Sequence, residues 1–252
     1  MPHRAPASAD VVRRALAYPY EIPRRSYVFD PMTGHTHPLV DAGAEVAADR
    51  DRTPVLAIAS NAAPEQLARK LGARTATSDP VVAVRVTVRD HDVVYAARVS
   101  AYGAIPATLV ESADTEVDLH VLLLTPQQRE ALDRSESLES AYALHTIPRD
   151  LVDGGPGLRE DLVTYVAAAG PLRIDGEPIG LAATPARSAR RPRWDQARVL
   201  QVVAERCGLE VTDWITRVTT DDRALDAMRA QLRAWSEVSD PTDENPSLRP
   251  PG

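Results

Sequence analysis

The sequence predicts an α+β fold, because strand patterns and helix patterns both occur along the chain. Valine alternates with other residues over 82–88, which is the period-two pattern of a strand with one buried face. Helix signals stand on both sides of this region. Residues 64–71 have helical content and are followed by Gly72, and residues 195–207 form an amphipathic pattern. The 252 residues are enough to bury a core without disulfide or metal staples.

The chain divides by composition into a main domain and additions at each end. Residues 1–50 are interpreted as an N-terminal extension, with a short helix near 10–17 and a strand near 26–29. The main domain is predicted over 51–210. Residues 211–238 are predicted to be a C-terminal helical addition, and the polar, proline-rich segment 239–252 to be a disordered tail.

The middle of the chain is predicted to contain two hairpins, since alternating apolar residues are interrupted by short polar segments. Their strands and turns are 82–88, 89–92 and 93–99 for the first, and 105–110, 112–116 and 117–124 for the second. Residues 55–59 fit a short buried strand. The run 121–124 is apolar on both faces, and we therefore expect it in the centre of the sheet.

A helix is predicted from Thr125 to about Ser135. Thr125 can cap it, Pro126 suits the first helical position and Gln128 completes a capping box.

The remaining segments give weaker patterns. Residues 142–147 favour a strand, and we favour a helix for 158–169. Residues 170–193 are expected to form a loop or irregular strands, and 221–238 a second amphipathic helix after 195–207.

The composition excludes several classes of protein and site. No run of about 18 apolar residues occurs, so no transmembrane helix is expected. The N-terminal residues lack a secretory apolar stretch, and Cys207 is the only cysteine, so a cytoplasmic protein without disulfides is predicted. The net charge of −7 argues against nucleic-acid binding. His35 and His37 could share a metal ion, but no third ligand is evident, and we expect neither metal nor cofactor.

The most informative motifs follow one another over 103–142. Gly103 opens a strand, a hairpin and a capped helix follow, and Leu-Asp-x-x-Glu then ends at Glu136, six residues before Tyr142. Upstream, Ile58-Ala59-Ser60-Asn61 lies between a predicted strand and a predicted helix.

This order of motifs resembles the γ-glutamylcyclotransferase-like family over about 53–148. That family has a Tyr-Gly-Ser-Asn loop, a Gly-x-Ala-Thr-like strand and a helix ending in Leu-Asp-x-x-Glu-Gly. This chain departs from the family pattern at Ile58 and Ala59 in the loop, at Ser137 after the glutamate, and at 118–120 in place of a glycine-containing strand.

The resemblance implies a small mixed or barrel-like sheet with peripheral helices, and an enzyme acting on a small γ-glutamyl compound. In the family's reaction the substrate's own α-amine attacks its γ-carbonyl, which releases an amine and 5-oxoproline. Glu136 would act as the general acid and base. Because the nucleophile belongs to the substrate, no serine or cysteine nucleophile is required.

The resemblance also implies a substrate-binding set around Glu136. Backbone N–H groups of Ser60, Asn61 and Ala62 would hold anionic oxygens near the start of a helix. Tyr142 would donate to the substrate. The rest of the predicted set is Ile58, Ala59 and Gly103.

Other interpretations remain open from the sequence. The chain could be a catalytically inactive descendant that binds a ligand or partner through the same pocket, which the changes at Ile58, Ala59 and Ser137 favour. Ser60 and Asn61 could simply cap a helix, and Tyr142 could be a core residue.

Two further patterns suggest less specific chemistry. Ser60, His91 and His120 could contribute to a Ser-His-Asp triad, although no Gly-x-Ser-x-Gly elbow supports it. Arginines over 187–198 could be a solvated face or a lid that binds an anion.

Overall fold

The computed structural model describes residues 7–39, 51–72, 78–136, 141–155 and 157–237. Within these ranges a large mixed sheet is flanked by six α-helices, so the fold is α+β, as predicted. The helices are α1 Ala9–Leu16, α2 Pro64–Leu71, α3 Pro126–Glu136, α4 Gln196–Arg206, α5 Val211–Thr220 and α6 Asp222–Ser236.

The strands differ greatly in length, and two long ones dominate the sheet. The two long strands are β4 and β5. All the strands of the described residues are β1 Tyr27–Phe29, β2 Thr36–Pro38, β3 Thr53–Ala57, β4 Val81–Tyr95, β5 Ala107–Leu124, β6 Tyr142–Ile147, β7 Val152–Gly154, β8 Leu162–Ala167, β9 Arg173–Ile174, β10 Glu177–Pro178, β11 Gly180–Leu181, β12 Ala186–Arg187 and β13 Arg193–Trp194. The main path through the sheet is β13-β11-β4-β5-β3-β8-β6. The β3–β8 and β11–β13 pairs are parallel.

Strands β4 and β5 form one long hairpin, so the two predicted hairpins are wrong. The predicted turns at 89–92 and 112–116 lie inside these strands, which pair with each other on both sides of a register shift between Arg89 and His91. Asp90 and Asp114 have φ of 57° and 63°, and the Asp114 N–H donates to Asp90 Oδ1 at 2.9 Å. The polar residues that suggest two turns therefore lie opposite each other in the two strands. They interrupt the regular pairing locally, and the strands pair again on both sides.

The centre of the sheet is covered on both faces, which explains the apolar run in β5. Val121 and Leu123 face the larger core, to which α1, α4, α5 and α6 contribute. Leu122 and Leu124 face a smaller core with α2 and α3. The prediction that 121–124 is central is confirmed, since β5 lies between β4 and β3.

The helix predicted for 158–169 is wrong, because this segment contains β8. Strand β8 pairs in parallel with β3 and antiparallel with β6, and Thr164 Oγ1 donates to Leu56 O at 3.0 Å. The alternation of this segment is too irregular to separate a strand from a helix, and partners far away in sequence decide its conformation.

The C-terminal region contains a helix that the sequence analysis missed. Helix α5 occupies the start of the predicted addition, and α6 corresponds to the predicted helix 221–238. Trp214 and Ile215 of α5 are fully buried and belong to the larger core. The predicted tail 239–252 and residues 40–50 lie outside the described residues.

Candidate functional site

A cavity of about 300 Å³ lies where the loop after β3, the end of α3 and the start of β6 meet. Five of the eight predicted site residues line it, and they come from three separate parts of the chain. They are Ile58, Ser60, Asn61, Glu136 and Tyr142.

Local sequence signals place Glu136 at this cavity. The Gln128 N–H donates to Thr125 Oγ1 at 3.3 Å and the Thr125 N–H donates to Gln128 Oε1 at 3.0 Å, so the predicted capping box is present. Leu132, one turn before Glu136 on the same helix face, is fully buried against the sheet. Glu136 therefore ends α3 pointing inward, and it is 6% exposed. Ser137, where the family pattern has glycine, lies outside the described residues.

Side chains of β8 and α3 hold the helix end in place. Arg129 Nε donates to Asp133 Oδ1 at 2.7 Å, and the Tyr165 hydroxyl donates to the same oxygen. Burial and this carboxylate raise the pKa of Tyr165, which keeps its hydroxyl protonated as a donor. These hydrogen bonds fix the Asp133 carboxylate in the last turn of α3, three residues before Glu136.

Glu136 is in contact with two donors from the α2 region. Asn61 Nδ2 donates to Glu136 Oε1 at 3.2 Å, and the Lys70 ammonium forms an ion pair with the same oxygen. Lys70 Nζ also donates to Asn61 Oδ1 at 2.7 Å, so the amide of Asn61 bridges the cation and the anion. The Lys70 and Glu136 side chains are only 11% and 7% exposed.

Lys70 is a candidate site residue that the sequence analysis missed. The chain has 29 lysines and arginines together, and Lys70 is the only lysine among them. In a composition that favours arginine so strongly, the single lysine was a usable signal. Its compact ammonium fits a small cavity that a guanidinium fork would fill.

Tyr142 lines the same cavity and carries a cation over its ring. The Arg98 guanidinium lies 5.3 Å from the ring centroid. Burial raises the pKa of Tyr142, and the nearby Glu136 charge raises it further. Its hydroxyl therefore stays protonated and is able to donate to a bound molecule.

The loop after β3 contains a strained residue at the position where the family has glycine. Ala59 has φ of 47° and is 2% exposed. A left-handed conformation costs a residue with a Cβ about 1–2 kcal/mol. The Asn61 N–H donates to Ile58 O at 3.2 Å within this turn, so that one N–H of the predicted anion cradle is already used.

The loop residues do not cap helix α2. Its N-cap is Ala63, which makes no side-chain cap hydrogen bond. The Asn61 side chain contacts Lys70 and Glu136 instead. The capping interpretation of Ser60 and Asn61 is therefore wrong.

Three predicted site residues do not line this cavity, although each is next in sequence to a residue that does. Gly103 has φ of 83°, and a Cβ there would lie 3.1 Å from Ile215 Cγ2, so the turn and the packing of α5 account for this glycine. Ala59 and Ala62 line a larger cavity of about 800 Å³ beside Asp118 and His120.

The proposed triad residues do not come together. Ser60 lines the small cavity and His120 the large one, while His91 Nδ1 lies 2.8 Å from Arg89 O. Burial lowers the pKa of His120.

The arginines of 187–198 are largely paired with acids of β4 and β5. Arg187 Nε donates to Glu116 Oε2 at 2.7 Å, and Arg193 forms an ion pair of 2.7 Å with the buried Asp92. These contacts attach the segment to the sheet and give no support to an anion-binding lid.

The histidines near the N-terminus do not form a metal site with other side chains of the described ranges. These ranges contain no group of three or more His, Cys, Asp and Glu side chains able to hold a metal ion, and His35 and His37 are exposed. No helix in the same ranges is long and apolar enough to cross a membrane.

Comparison with known proteins gives weak likenesses, all of them to solved structures. No family model and no curated protein matches the chain. A crystal structure of an uncharacterised human protein is similar with a TM-score of 0.38 and 14% identity, covering 79% of this chain and 95% of that one. A structure of a γ-glutamyl cyclotransferase is similar with a TM-score of 0.36 and 13% identity, covering 71% of this chain and 99% of that one. Likenesses this weak assign no activity, and the fold class stands on the chain's own helices and sheet.

Proposed function

We propose that this chain is a γ-glutamylcyclotransferase-like enzyme that releases 5-oxoproline from a small γ-glutamyl amide. The observation that supports this best is the contact between Asn61 and Glu136, which are 75 residues apart in sequence. The two motifs that carry the family resemblance thereby meet at one cavity, with Tyr142 in its wall.

The proposed reaction needs one carboxyl group that moves a proton twice. Glu136 accepts a proton from the substrate's α-ammonium, and the freed amine attacks the γ-carbonyl carbon. The new N–C bond closes the five-membered ring while the original amide C–N bond breaks. Glu136 then returns its proton to the leaving amine. The ring nitrogen gives up its remaining extra proton to the released amine, which leaves as an ammonium ion, so the enzyme ends the cycle unchanged.

Neighbours of Glu136 would have distinct tasks in this reaction. Lys70 pairs with the Glu136 carboxylate before the substrate binds. Asn61 orients that carboxylate. The protonated Tyr142 hydroxyl donates to the oxygen that becomes negative when the ring closes.

The test is an incubation of the purified chain with a panel of γ-glutamyl amines and dipeptides, followed by mass spectrometry for 5-oxoproline. Glu136→Gln keeps the size of the side chain and removes the base, so product should fall by about 10²–10⁴-fold. Arg134→Gln is the matched control, because Arg134 lies on the exposed face of the same helix. Product formation that survives Glu136→Gln would refute the proposed role.

A second function is favoured by two specific observations. Glu136 Oε1 already has two donors, Lys70 and Asn61, and Ala59 holds the loop in a conformation that glycine would adopt at lower cost. An inactive descendant that binds a ligand would keep such a satisfied pair. Binding of a γ-glutamyl compound without formation of any product would support this second function.

A further inference from the structure

The cavity around Glu136 carries more positive than negative side chains. Lys70, Arg98 and Arg229 line it as cations, whereas Glu136 is the acidic residue among the lining residues. Lys70 is neutralised by Glu136. Two guanidinium groups therefore remain without a compensating acid among the described residues that line the cavity.

The two guanidinium groups differ in how much of their hydrogen-bonding capacity is used. Arg229 Nε donates to Val99 O at 3.2 Å, and its Nη1 forms an ion pair of 3.4 Å with Asp226 outside the cavity wall. Arg98 has no side-chain hydrogen bond and no ion pair with an acid in the part of the chain that the structure describes. Its contact is the face of the Tyr142 ring.

Arg98 is also partly removed from water. Burial is the main cause that lowers its pKa, and the nearby Arg229 and Arg233 charges lower it further. A desolvated cation that lacks a hydrogen-bonded or ion-paired acid is unfavourable, and an anion in the cavity would recover that free energy. The ring of Tyr142 supports the flat guanidinium from one side and so limits its rotation.

We propose that Arg98 binds a carboxylate of the ligand, so that this cavity selects an amino-acid-sized molecule bearing a carboxylate. A guanidinium fork matches the two oxygens of a carboxylate with two parallel N–H···O bonds. A cavity of about 300 Å³ suits a molecule of this size.

The choice of a carboxylate ligand rests on the proposed function. A γ-glutamyl group carries its α-carboxylate on the same carbon as its α-amine. Arg98 on the carboxylate would therefore leave the amine facing the acid of the cavity, Glu136. Both residues line the cavity, and the charge of Glu136 acts on Arg98.

The first test measures binding without any turnover. Calorimetry compares 5-oxoproline, which has a carboxylate, with 2-pyrrolidinone, the same ring without it, and with inorganic phosphate. We expect 5-oxoproline to bind at least about tenfold more tightly than 2-pyrrolidinone, because charge-assisted hydrogen bonds are lost in the neutral ring. Equal binding of the two rings, no binding of 5-oxoproline, or tighter binding of phosphate would overturn the inference.

The second test uses variants of the wall. Arg98→Gln should weaken 5-oxoproline binding at least about tenfold, and Arg98→Lys should weaken it less because the charge remains without the fork. Arg229→Gln removes the same charge from the same cavity and should have a smaller effect, since Arg229 is already paired. Equal losses for the two glutamine variants would show a general charge effect and refute the specific role of Arg98.

The outcomes separate this inference from the proposed function. Binding of 5-oxoproline that depends on Arg98, without turnover of any γ-glutamyl compound, would support the carboxylate site and refute the enzyme. Turnover with an unchanged KM in Arg98→Gln would support the enzyme and refute the carboxylate site. If Arg98→Gln fails to fold, as judged by circular dichroism, the binding of 5-oxoproline and of 2-pyrrolidinone to the unaltered chain still tests the carboxylate site.

Discussion

The contact between Lys70 and Glu136 supports a quantitative prediction about stability. Lys70→Met removes the ammonium and keeps a similar unbranched side chain, so packing changes little. The Glu136 carboxylate would then stay in a site where its side chain is 7% exposed, with Asn61 as its one remaining donor among the described contacts.

The expected loss follows from this burial. Removing one partner of a buried ion pair typically costs about 3–5 kcal/mol, because the other charge is left uncompensated. The remaining Asn61 hydrogen bond places the expected value near the lower end, at about 3 kcal/mol. The double variant Lys70→Met/Glu136→Gln lacks both charges. Its loss of unfolding free energy should be clearly smaller than the sum of the losses of the two single variants.

Urea unfolding of the four proteins in this double-mutant cycle gives the coupling free energy directly. We expect a coupling of at least about 1.5 kcal/mol for residues in direct contact. The matched control is the pair Arg134 and Glu130, which lies exposed on the surface of α3, and its coupling should be below about 0.5 kcal/mol. A Lys70–Glu136 coupling as small as that of the control would refute the reasoning.

Three further predictions concern stability and are each checked by urea unfolding. Ala59→Gly should stabilise the chain by about 1 kcal/mol, since φ of 47° favours glycine, and a loss would contradict the strain at this residue. Gly103→Ala should destabilise it by more than Gly34→Ala, because both have positive φ but only the Cβ at 103 would meet Ile215, at 3.1 Å; equal losses would remove the packing argument. Burial lowers the pKa of His120 in the folded chain, so that as the pH falls His120 is protonated in the unfolded chain before it is in the folded chain. The free energy of unfolding should therefore fall as the pH drops below about 6.5. His120→Gln should reduce that acid loss, and an unchanged pH profile would contradict the assignment.

Local signals predicted the elements whose ends are defined by nearby residues. Helix α3 begins where Thr125 and Gln128 cap each other, and α2 ends before Gly72, as the sequence indicates. Such contacts span only a few residues, so their energetics are readable from the sequence alone. The position of Glu136 was predictable from the same helix, because Glu136 is the residue at which α3 ends.

Other features depended on partners that are distant in sequence. The polar segments at 89–92 and 112–116 look like turns locally, yet long-range pairing of β4 with β5 turns them into irregularities of one hairpin. Strand β8 is extended because it pairs with β3 on one side and with β6 on the other.

The sequence by itself therefore determined the fold class, the capped helix and the candidate acid Glu136. Only the tertiary structure brought Lys70 to that acid across 66 residues and left Arg98 in the same cavity without an acidic partner in the described chain. The physical reason is that helix caps and periodic burial act over one or two turns. Charge pairing depends instead on distance in space, which the order of residues along the chain does not specify.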